Sequence, residues 1–571
     1  MPGGDRSRAL ARRKGIDALM TEGREPVNVA AHLALAAQNQ PHKTAILPAR
    51  EGAFPARTFA ELEKDVAACA RLLSEREIRP QDKVLVMVRP GYELILNVFA
   101  LFLLGACPVV IDPGMGLRNL LRCVKSTKPD GLIGIPLAWL LARFFRGTFS
   151  GVHKKIVVRG NHFLRELRNH QSLEPFHAAE VNADDLAAIL FTSGSTGPPK
   201  GVCYDHGTFA AQVQMLKKNF GIETGEQDLV TLPVFALFNP ALGMTSVIPD
   251  MDPRKPAQAD ASKLVAAMRK HKITSAFGSP VLWRKIADHC EAHKVELPGI
   301  RRIFIAGAAA PPALVQKLIP ILPNARILAP YGATEALPLS VADADDILAT
   351  RESTEQGEGS CLGKPLPNID VRILPVCNSP IPNLGEVEEL KDGEVGEIAV
   401  AGPVVTKSYY RMPGATYDSK VCDGKRILHR MGDLGYFDRK GYLRFLGRKA
   451  ECVRTSDGPL ETERCEPIVN ALTEVRRCAL IGLGEDREKE PALVVEPEPN
   501  HFPQTMADKK RLAKTILEKL HEHERLRLIR LIFFERSLPV DTRHNAKIHR
   551  LSLARKGAIK AKVAQAQAYL P

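Results

Sequence analysis

The sequence predicts an α/β protein with a large N-terminal domain of stacked, mainly parallel sheets, a β-rich subdomain and a small α+β domain at the C-terminal end. Its 571 residues exceed the usual size of one domain. Short apolar runs alternate with helix-period segments through the first 350 residues, and strands in such an alternation are usually parallel and covered on both faces. Beyond residue 360, short strand patterns with frequent Gly and Pro replace this alternation, which indicates β-rich structure.

The parallel sheets are predicted from six apolar or β-branched runs, each short enough for a buried strand. They lie at residues 84–88, 108–111, 155–158, 186–191, 273–277 and 303–306. Helical patterns lie between several of them, as at 59–76 and 261–271. Because ligands of such sheets usually bind beyond the carboxyl ends of the strands, we expect a binding site in the segments that follow these runs.

Two boundaries are expected to divide the chain. A polar stretch at 351–360 precedes the β-rich subdomain at about 360–447, in which Gly396 begins a strand pattern. A second boundary after Gly447 separates an N-terminal domain, 1–447, from a C-terminal domain, 448–571. The C-terminal domain combines a helical pattern at about 507–522 with a partly alternating run at 526–534. It ends in an Ala- and Lys-rich stretch that we expect to be helical.

The composition predicts a cytoplasmic protein without a transmembrane span. The apolar stretch 94–111 is broken by Asn97, Gly105 and Pro108, so we interpret it as a buried helix followed by a strand. The basic N-terminal segment lacks the apolar core of a signal peptide. Eleven cysteines without a CxxC pair give neither a zinc motif nor a disulfide framework, a pattern typical of a reducing compartment.

The net charge of +14 is concentrated at one end of the chain. Residues 509–571 hold 16 lysines and arginines against 5 acids, an excess of 11. No nucleic-acid partner is expected, because no recognition motif or cluster of aromatic residues accompanies the basic charge. The basic residues beyond 551 predict docking either to partner enzymes or, peripherally, to a membrane surface, and the sequence leaves both open.

The most informative motif directly follows the strand predicted at 186–191. Within ten residues it combines four hydroxyl side chains, three glycines and a lysine: Thr192, Ser193, Gly194, Ser195, Thr196, Gly197, Lys200 and Gly201. The backbone N–H groups and hydroxyls of such a loop can surround a phosphate chain. The motif is not a Walker A loop, because Pro199 precedes the lysine and Gly201 follows it.

Together with three further motifs in order, this loop closely resembles the adenylate-forming superfamily, which includes acyl-CoA synthetases, luciferases and the adenylation domains of peptide synthetases. The further motifs are Tyr331-Gly332-Ala333-Thr334-Glu335, then Gly432-Asp433, and finally a Lys-Ile pair that begins at Lys547. The resemblance extends over about residues 30–551. It implies an ATP-dependent ligase whose C-terminal domain is a mobile lid that carries the catalytic lysine.

The resemblance implies that several of these residues bind the phosphates of ATP and a Mg²⁺ ion. Lys200 and the loop N–H groups would hold the β- and γ-phosphates, and Thr334 would donate to the α-phosphate. Glu335 and Thr192 would hold Mg²⁺, which prefers oxygen ligands and bridges to substrate phosphates. The same nucleotide site would include Ser193, Gly194, Ser195, Thr196, Gly197, Gly307, Ala308, Gly332 and Ala333.

The remaining roles implied by the resemblance concern the nucleoside and the chemical step. Tyr331 would stack on adenine, Asp433 would accept both ribose hydroxyls, and Arg448 would support ribose or phosphate. Lys547 would place its ammonium between the attacking carboxylate and the α-phosphate, where negative charge grows in the transition state. The resemblance therefore assigns catalysis to Lys547 together with Lys200, Thr334 and Glu335.

Several positions depart from the thioester-forming members of this family. Their hinge residue, usually Asp or Lys, is the second after Gly-Arg, where this chain has Ala450. A frequent His after Leu-Pro-x-Phe is replaced by Ala236, and the glycine-containing turn that those members use near pantetheine appears only as Ser456-Asp457-Gly458-Pro459. These departures disfavour transfer to coenzyme A. The alternatives are a long-chain fatty acyl-CoA synthetase or fatty acyl-AMP ligase, and a catalytically inactive nucleotide-binding scaffold.

Two runs, 110–116 and 539–548, resemble the β-lactone synthetases of bacterial olefin biosynthesis. That likeness implies that a long-chain 2-alkyl-3-hydroxyalkanoic acid is adenylated and that its own 3-hydroxyl then closes the β-lactone, with release of AMP and pyrophosphate. No coenzyme A site is needed, because the nucleophile is already on the substrate. The segments 236–244 and 307–311 are candidates for lining an apolar cavity. The expected partners are other olefin-pathway enzymes, an α/β-hydrolase-type β-lactone decarboxylase and an NAD(P)-dependent reductase.

Overall fold

The computed structural model describes residues 27–172, 174, 176–192, 198–484, 488–541 and 547–555. This part of the chain divides into two units. Unit 1 comprises the chain up to Thr192, with Pro199–Ile248 and Thr406–Met412. Unit 2 comprises Pro198, Pro249–Val405 and the chain from Pro413 onward. The domain boundary expected after Gly447 stays a prediction.

Unit 1 contains the strands β1 (Thr44–Pro48), β2 (Arg57–Thr58), β3 (Lys83–Met87), β4 (Cys107–Ile111), β5 (Gly131–Gly134), β6 (Lys154–Val157), β7 (Leu186–Thr192), β8 (Lys200–Asp205), β9 (Gln227–Leu229) and β10 (Thr245–Ile248). Six of them form a sheet in the order β6-β5-β3-β4-β7-β8, parallel except for the antiparallel pair β7 and β8. The strands β9, β10 and β1 are also parallel, and β2 pairs with β1 in the antiparallel sense.

The helices of unit 1 are α1 (Val29–Asn39), α2 (Phe59–Glu75), α3 (Tyr92–Leu103), α4 (Leu117–Thr127), α5 (Pro136–Phe144), α6 (Gly160–Asn169), α7 (His206–Phe220) and α8 (Asn239–Leu242). A capping box of Thr58 and Glu61 begins α2 by satisfying backbone N–H groups at its first turn. Ten of the twelve residues of α3 are buried, so the apolar stretch at 94–111 is a core helix followed by β4, as expected. No helix in the described part of the chain is long and apolar enough to span a membrane.

Unit 2 contains the strands β11 (Ser275–Gly278), β12 (Arg302–Ile305), β13 (Arg326–Ala333), β14 (Ala336–Asp343), β15 (Ser360–Cys361), β16 (Lys364–Pro365), β17 (Asp370–Leu374), β18 (Gly396–Ala401), β19 (Lys420–Asp423), β20 (Arg426–Phe437), β21 (Leu443–Arg448), β22 (Val453–Thr455), β23 (Gly458–Leu460), β24 (Val475–Leu483), β25 (Glu490–Pro497) and β26 (Leu531–Phe534). The strands β11, β12 and β13 are parallel, and the hairpin partner β14 reverses direction. An antiparallel sheet of order β15-β21-β20-β18-β17, with β19 paired to β20, forms the β-rich part.

The helices of unit 2 are α9 (Ala261–Lys270), α10 (Pro280–His293), α11 (Pro312–Leu318), α12 (Ala344–Ala349), α13 (Arg351–Glu355), α14 (Pro413–Ser419), α15 (Glu466–Asn470) and α16 (Met506–His521). One face of α16 buries Leu512, Ile516 and Leu520 in a core shared with strands β24 and β25. The spacing of four residues places these side chains on one stripe of the helix. The C-terminal chain is therefore held by an apolar core of its own.

The α/β class and the six parallel-sheet strands are confirmed, with bounds shifted by no more than two residues. The helices expected at 59–76, 261–271 and 507–522 are also present, as α2, α9 and α16. Of the run expected at 526–534, only the last four residues are a strand, β26, which pairs in parallel with β25. The helix expected in the Ala- and Lys-rich stretch falls largely on 556–571, outside the described residues.

Candidate active site

The β13–β14 hairpin carries the first group of predicted site residues. Its register shifts between Tyr331 and Ala333, and at this irregularity Gly332 approaches β14 so closely that a Cβ would lie 2.7 Å from a carbonyl oxygen of that strand. A side chain at this position would therefore push the two strands apart. Thr334 and Glu335 form the tight turn that follows, and both are half-buried.

Gly307 and Ala308 lie at the same edge of the parallel strands as this hairpin turn. They follow the carboxyl end of β12, and β12 runs parallel to β13 next to it. Gly307 has a φ of +94°, a left-handed conformation that favours glycine. Gly307 and Ala308, beyond the carboxyl end of β12, therefore lie at the same edge of the sheet as Tyr331, which is near the carboxyl end of β13.

A buried carboxylate on β20 joins this group to the β-rich sheet. Asp433 pairs in register with Arg448 of β21 and is only 1% exposed. The Tyr331 hydroxyl donates a hydrogen bond of 2.6 Å to Asp433 Oδ2, and Arg448 Nε lies 3.0 Å from Oδ1. Tyr331 and Arg448, both predicted as site residues, thus contact the carboxylate of a third predicted residue, Asp433.

The Asp433 carboxylate is not fully satisfied by its neighbours. Its Oδ1 accepts no hydrogen bond from the described residues, because the nearby Arg448 Nε is within ion-pair distance but not aligned for one. Burial raises the pKa of Asp433, while the positive charge of Arg448 and the hydrogen bond from Tyr331 work in the opposite direction. Burial and the adjacent carboxylate also hold the pKa of Tyr331 well above its usual value. A buried acceptor with a spare lone pair fits a donor supplied by a ligand, such as a ribose hydroxyl.

Lys547 is exposed, and its backbone is held by Asp541. Its N–H donates to Asp541 Oδ1 at 2.8 Å, and its carbonyl oxygen accepts from the Asp541 N–H at 2.9 Å. The Lys547 charge lies near enough to Asp433 to favour its ionised form, and the Glu335 charge lies near enough to Arg448 to raise its pKa, after the larger effect of Asp433. Within unit 2, the ammonium, the carboxylates and the guanidinium therefore share one electrostatic neighbourhood.

An ion network around Arg550, three residues after Lys547, was not predicted from the sequence. Arg550 donates to both carboxylate oxygens of Glu466 at 2.7–3.1 Å and to Glu451 at 2.7 Å. Although burial opposes it, the two carboxylates hold the pKa of Arg550 above its usual value. Arg550 stands three residues after Lys547, and this proximity to a motif lysine was the one signal that could have indicated it. The network anchors the chain that follows Lys547.

A second unpredicted cluster fixes Lys449, the residue before Ala450. Lys449 Nζ donates to Glu397 Oε2 at 2.9 Å and to the Cys377 carbonyl oxygen at 2.8 Å. Glu397, on β18, is 2% exposed and also accepts from Arg430 at 2.6 Å. We call this arrangement the Glu397 clamp. It ties the chain just before Ala450 to the β-rich sheet.

In unit 1, the β7–β8 hairpin frames the predicted phosphate loop. Thr192 at the end of β7 lies opposite Lys200 at the start of β8, and the loop residues Ser193–Gly197 between them lie outside the described residues. Lys200 Nζ lies 4.9 Å from the centre of the Tyr409 ring, a cation–π distance. Tyr409 was not predicted, since it is more than 200 residues away in the sequence. The hairpin accounts for the position of Lys200.

The segment 236–244, a candidate for lining a cavity, contributes mainly to the core of unit 1. Leu242 and Met244 are buried, and so is Asn239. Asn239 Nδ2 donates to Asp228 Oδ2 at 2.9 Å and to Ser246 Oγ at 3.0 Å, so its amide is used inside the fold. The lining of a substrate cavity by this segment stays a prediction.

The chain is similar to known proteins both in sequence and in fold. The family model described as AMP-binding enzyme matches residues 33–410. An olefin beta-lactone synthetase from Xanthomonas campestris pv. campestris is 42% identical and covers 92% of this chain and 97% of its own length. A protein of the same name from Stenotrophomonas maltophilia is 41% identical, with coverages of 93% and 98%. Proteins named as coenzyme A ligases or synthases are 24–27% identical. The solved amide bond synthetase from Marinactinospora thermotolerans has the same fold, with a TM-score of 0.75 at 21% identity over 93% of this chain and 99% of that one.

Proposed function

The chain belongs to the family of AMP-binding enzymes, and we propose that it is an ATP-dependent β-lactone synthetase of olefin biosynthesis. The observation that carries the proposal is the identity of 41–42%, over more than nine-tenths of the chain, to two olefin beta-lactone synthetases. The substrate we propose is a long-chain 2-alkyl-3-hydroxyalkanoic acid. Its two alkyl chains would require an apolar cavity, for which the segments 236–244 and 307–311 remain the candidates.

The proposed reaction has two steps on one substrate. The carboxylate first attacks the α-phosphate of ATP, so that pyrophosphate leaves and an acyl-adenylate forms. The 3-hydroxyl then attacks the acyl carbon, its proton departs, and the bond to AMP breaks as the four-membered lactone closes. Both steps are unimolecular once the substrates are bound, so alignment and exclusion of water are the main requirements on the protein.

The residues of unit 2 suit the nucleoside part of ATP. The spare lone pair of Asp433 Oδ1 supports a role as the acceptor of a ribose hydroxyl, while Tyr331 and Arg448 hold the carboxylate in place. Lys547 would stabilise the charge that develops between the carboxylate and the α-phosphate. Lys200 would bind the outer phosphates together with the loop 193–197.

We propose that Glu335 and Thr192 hold a Mg²⁺ ion against the phosphates of ATP. A half-buried carboxylate at a hairpin turn offers the oxygen donor that this cation prefers, and Mg²⁺ commonly takes its other ligands from phosphates and water. When bound, the ion would neutralise phosphate charge during adenylation. Removal of Mg²⁺ by a chelator should therefore abolish AMP release.

The proposed working context is the cytoplasm, with other olefin-pathway enzymes as partners. All eleven cysteines of the sequence are described and free, which supports a reducing compartment. A β-lactone is strained and open to hydrolysis, so a following enzyme that removes carbon dioxide from it would act best in close association. The reductase that would supply the 3-hydroxyl is the second partner we propose.

The decisive experiment measures products with and without coenzyme A. Purified protein with ATP, Mg²⁺ and a 2-alkyl-3-hydroxyalkanoic acid should release AMP and form a β-lactone, identified by NMR, at a rate that coenzyme A does not change. The matched control is the same acid without its 3-hydroxyl, which should support pyrophosphate exchange into ATP but give no lactone. Formation of a thioester with coenzyme A, or of free acid alone, would contradict the proposal.

A further inference from the structure

The helix α5 of unit 1 presents a row of apolar side chains to solvent. Leu137, Leu140 and Phe144 are 68%, 50% and 76% exposed. Their spacing of three and four residues places them on one face of the helix, which we call the apolar stripe. Among the large apolar side chains of the described residues, Phe144 is the most exposed.

The stripe is exposed because the opposite face of α5 is the one that packs against the sheet. Ala138 is buried, and Trp139 Nε1 donates a hydrogen bond of 3.2 Å to the carbonyl oxygen of Ile156 on β6. Leu141 and Phe145 pack against the core beneath the helix. The helix therefore cannot turn the stripe inward without losing these contacts.

Exposed basic side chains lie on α4 and at the end of α5, and some of them lie beside the stripe. Arg118, Arg122 and Lys125 recur at helical spacing along α4, while Arg143 and Arg146 stand on and just after α5. All five are exposed, and we call them the basic rim. Lys125 lines the same surface depression as Phe144 and Arg146, so α4 contributes directly to the surroundings of the stripe.

Nearly all charged residues in the segment that contains α4 and α5 are basic. Between residues 114 and 159 the sequence has nine lysines and arginines and a single acid, Asp130. Asp130 is already paired with Lys83 at 2.7 Å. In the described ranges of the chain, no carboxylate lies within ion-pair distance of any member of the basic rim. The rim is thus available to neutralise negative charge outside the molecule.

We propose that the apolar stripe and the basic rim dock this protein on an anionic lipid membrane. Leu and Phe side chains would enter the boundary between headgroups and acyl chains, while arginine and lysine side chains would bind the lipid phosphates. A nucleic acid would make no use of three exposed apolar side chains. An acidic protein surface is the other conceivable occupant, and the test below separates it. The docking is independent of the proposed β-lactone chemistry, since it involves none of the residues assigned to that site.

The test is co-sedimentation of the full chain with vesicles. Phosphatidylcholine vesicles that contain phosphatidylglycerol should bind the protein, vesicles of phosphatidylcholine alone should bind it far less, and added salt should weaken the binding. The variant Leu137→Gln/Leu140→Gln/Phe144→Gln should lose binding by about tenfold or more. The variant Arg143→Gln/Arg146→Gln should lose about 25-fold, because each of the two cations near an anionic surface contributes about a fivefold factor.

Two controls make the result specific. Lys510→Gln/Lys514→Gln removes the same charge from exposed positions of α16, and Ile319→Gln removes an exposed apolar side chain from unit 2; both should bind like the parent. All substitutions are at exposed positions, so equal urea midpoints check the fold. Binding that is unchanged in the stripe and rim variants would overturn the proposal. So would a parent that ignores anionic vesicles, in which case an acidic protein becomes the occupant to seek.

Discussion

The surroundings of Asp433 and of Arg550 are both buried, charged regions of unit 2, yet they satisfy their charges to different degrees. Around Arg550, every side-chain nitrogen faces a carboxylate: Glu466 accepts from two of the nitrogens and Glu451 from the third. Around Asp433, one oxygen has a hydrogen bond and the other has none from the described residues. A saturated network has no capacity left for a ligand, whereas an unsaturated one does.

The degree to which buried charges are satisfied therefore distinguishes a region that anchors the chain from a region that binds a ligand. This distinction needs no sequence motif or family. Saturated buried charges hold the chain in place, and removing one of them leaves its partners without compensation. An unsaturated buried acceptor costs stability until something donates to it. Substitutions in the two regions should therefore affect different measurements, stability in one and activity in the other.

The largest effect on stability is expected for Arg550→Met. Glu466 and Glu451 would stay in a buried site without a cation, a loss that typically costs about 3–5 kcal/mol in the free energy of unfolding. Urea unfolding of unit 2 measures it. The double variant Glu466→Gln/Arg550→Met should recover part of the loss, because one of the two uncompensated carboxylates is gone. Unchanged stability in the single variant would show that the network is not an anchor.

The substitution Asp433→Asn should lower the adenylation rate by about 10²–10³, since charge-assisted hydrogen bonds to the ribose hydroxyls are lost. Its stability in urea should equal or exceed that of the parent, because a buried and incompletely satisfied carboxylate is removed. Exchange of labelled pyrophosphate into ATP measures the rate. Tyr331→Phe keeps the ring and should cost only about tenfold. If Asp433→Asn lost stability but not activity, the contrast with Arg550 would be wrong.

A substitution of the exposed Lys547 should change activity without changing stability, and so tests the comparison on activity alone. Lys547→Ala should reduce pyrophosphate exchange by about 10², the scale of a lost transition-state charge stabiliser. Its unfolding should match the parent, because the Lys547 side chain is exposed and the hydrogen bonds to Asp541 use the Lys547 backbone, which the substitution keeps. Lys510→Ala, which removes the same charge from an exposed position of α16, is the matched control and should retain full activity. A fully active Lys547→Ala protein would refute the proposed role.

The smallest effect is expected at Glu463, beside the Arg550 network. Burial and the charge of Glu466 raise the pKa of Glu463 to about 7, despite a hydrogen bond of 2.6 Å from Ser360. The folded state binds this proton more tightly than the unfolded state, whose pKa is near 4.5. The contribution is therefore full below about pH 4.5 and is lost as the pH rises through about 7.

For Glu463 we expect a loss of about 2 kcal/mol of stability across that pH window, allowing for partial exposure. Urea unfolding at the two ends of the window measures the loss. Glu463→Gln should flatten this dependence, and Glu358→Gln, a substitution at an exposed site, should leave it unchanged. A parent whose stability does not fall between these pH values would show that Glu463 is not desolvated.

The layers of the fold were predictable because their signals are local. The helix at 59–76 and the strands at 84–88 and 108–111 each follow from a few consecutive residues whose apolar pattern has one period. The position of Tyr331 beside Asp433 was not local, since the two are 102 residues apart. The sequence placed both in one site through ordered motifs, and the hydrogen bond between them emerged only from the fold.

The unpredicted parts are long-range polar contacts. Arg550 and Glu466 are 84 residues apart, and Lys449 and Glu397 are 52 apart. No periodicity marks such pairs, because a charged residue on a strand or loop has the same local pattern whether it is solvated or buried. Their partners depend on how strands from different segments are aligned, which the sequence pattern alone does not specify.

The Glu397 clamp determines where the C-terminal chain can turn. Rotation about the backbone bonds of Ala450 or of later residues leaves the bonds from Lys449 to Glu397 and Cys377 intact. Rotation about Arg448 or earlier residues would pull the Lys449 ammonium away from Glu397 and the Cys377 carbonyl oxygen. If the C-terminal chain rotates, the clamp therefore requires the rotation to take place at Ala450 or a later residue, which leaves Arg448 in position beside Asp433.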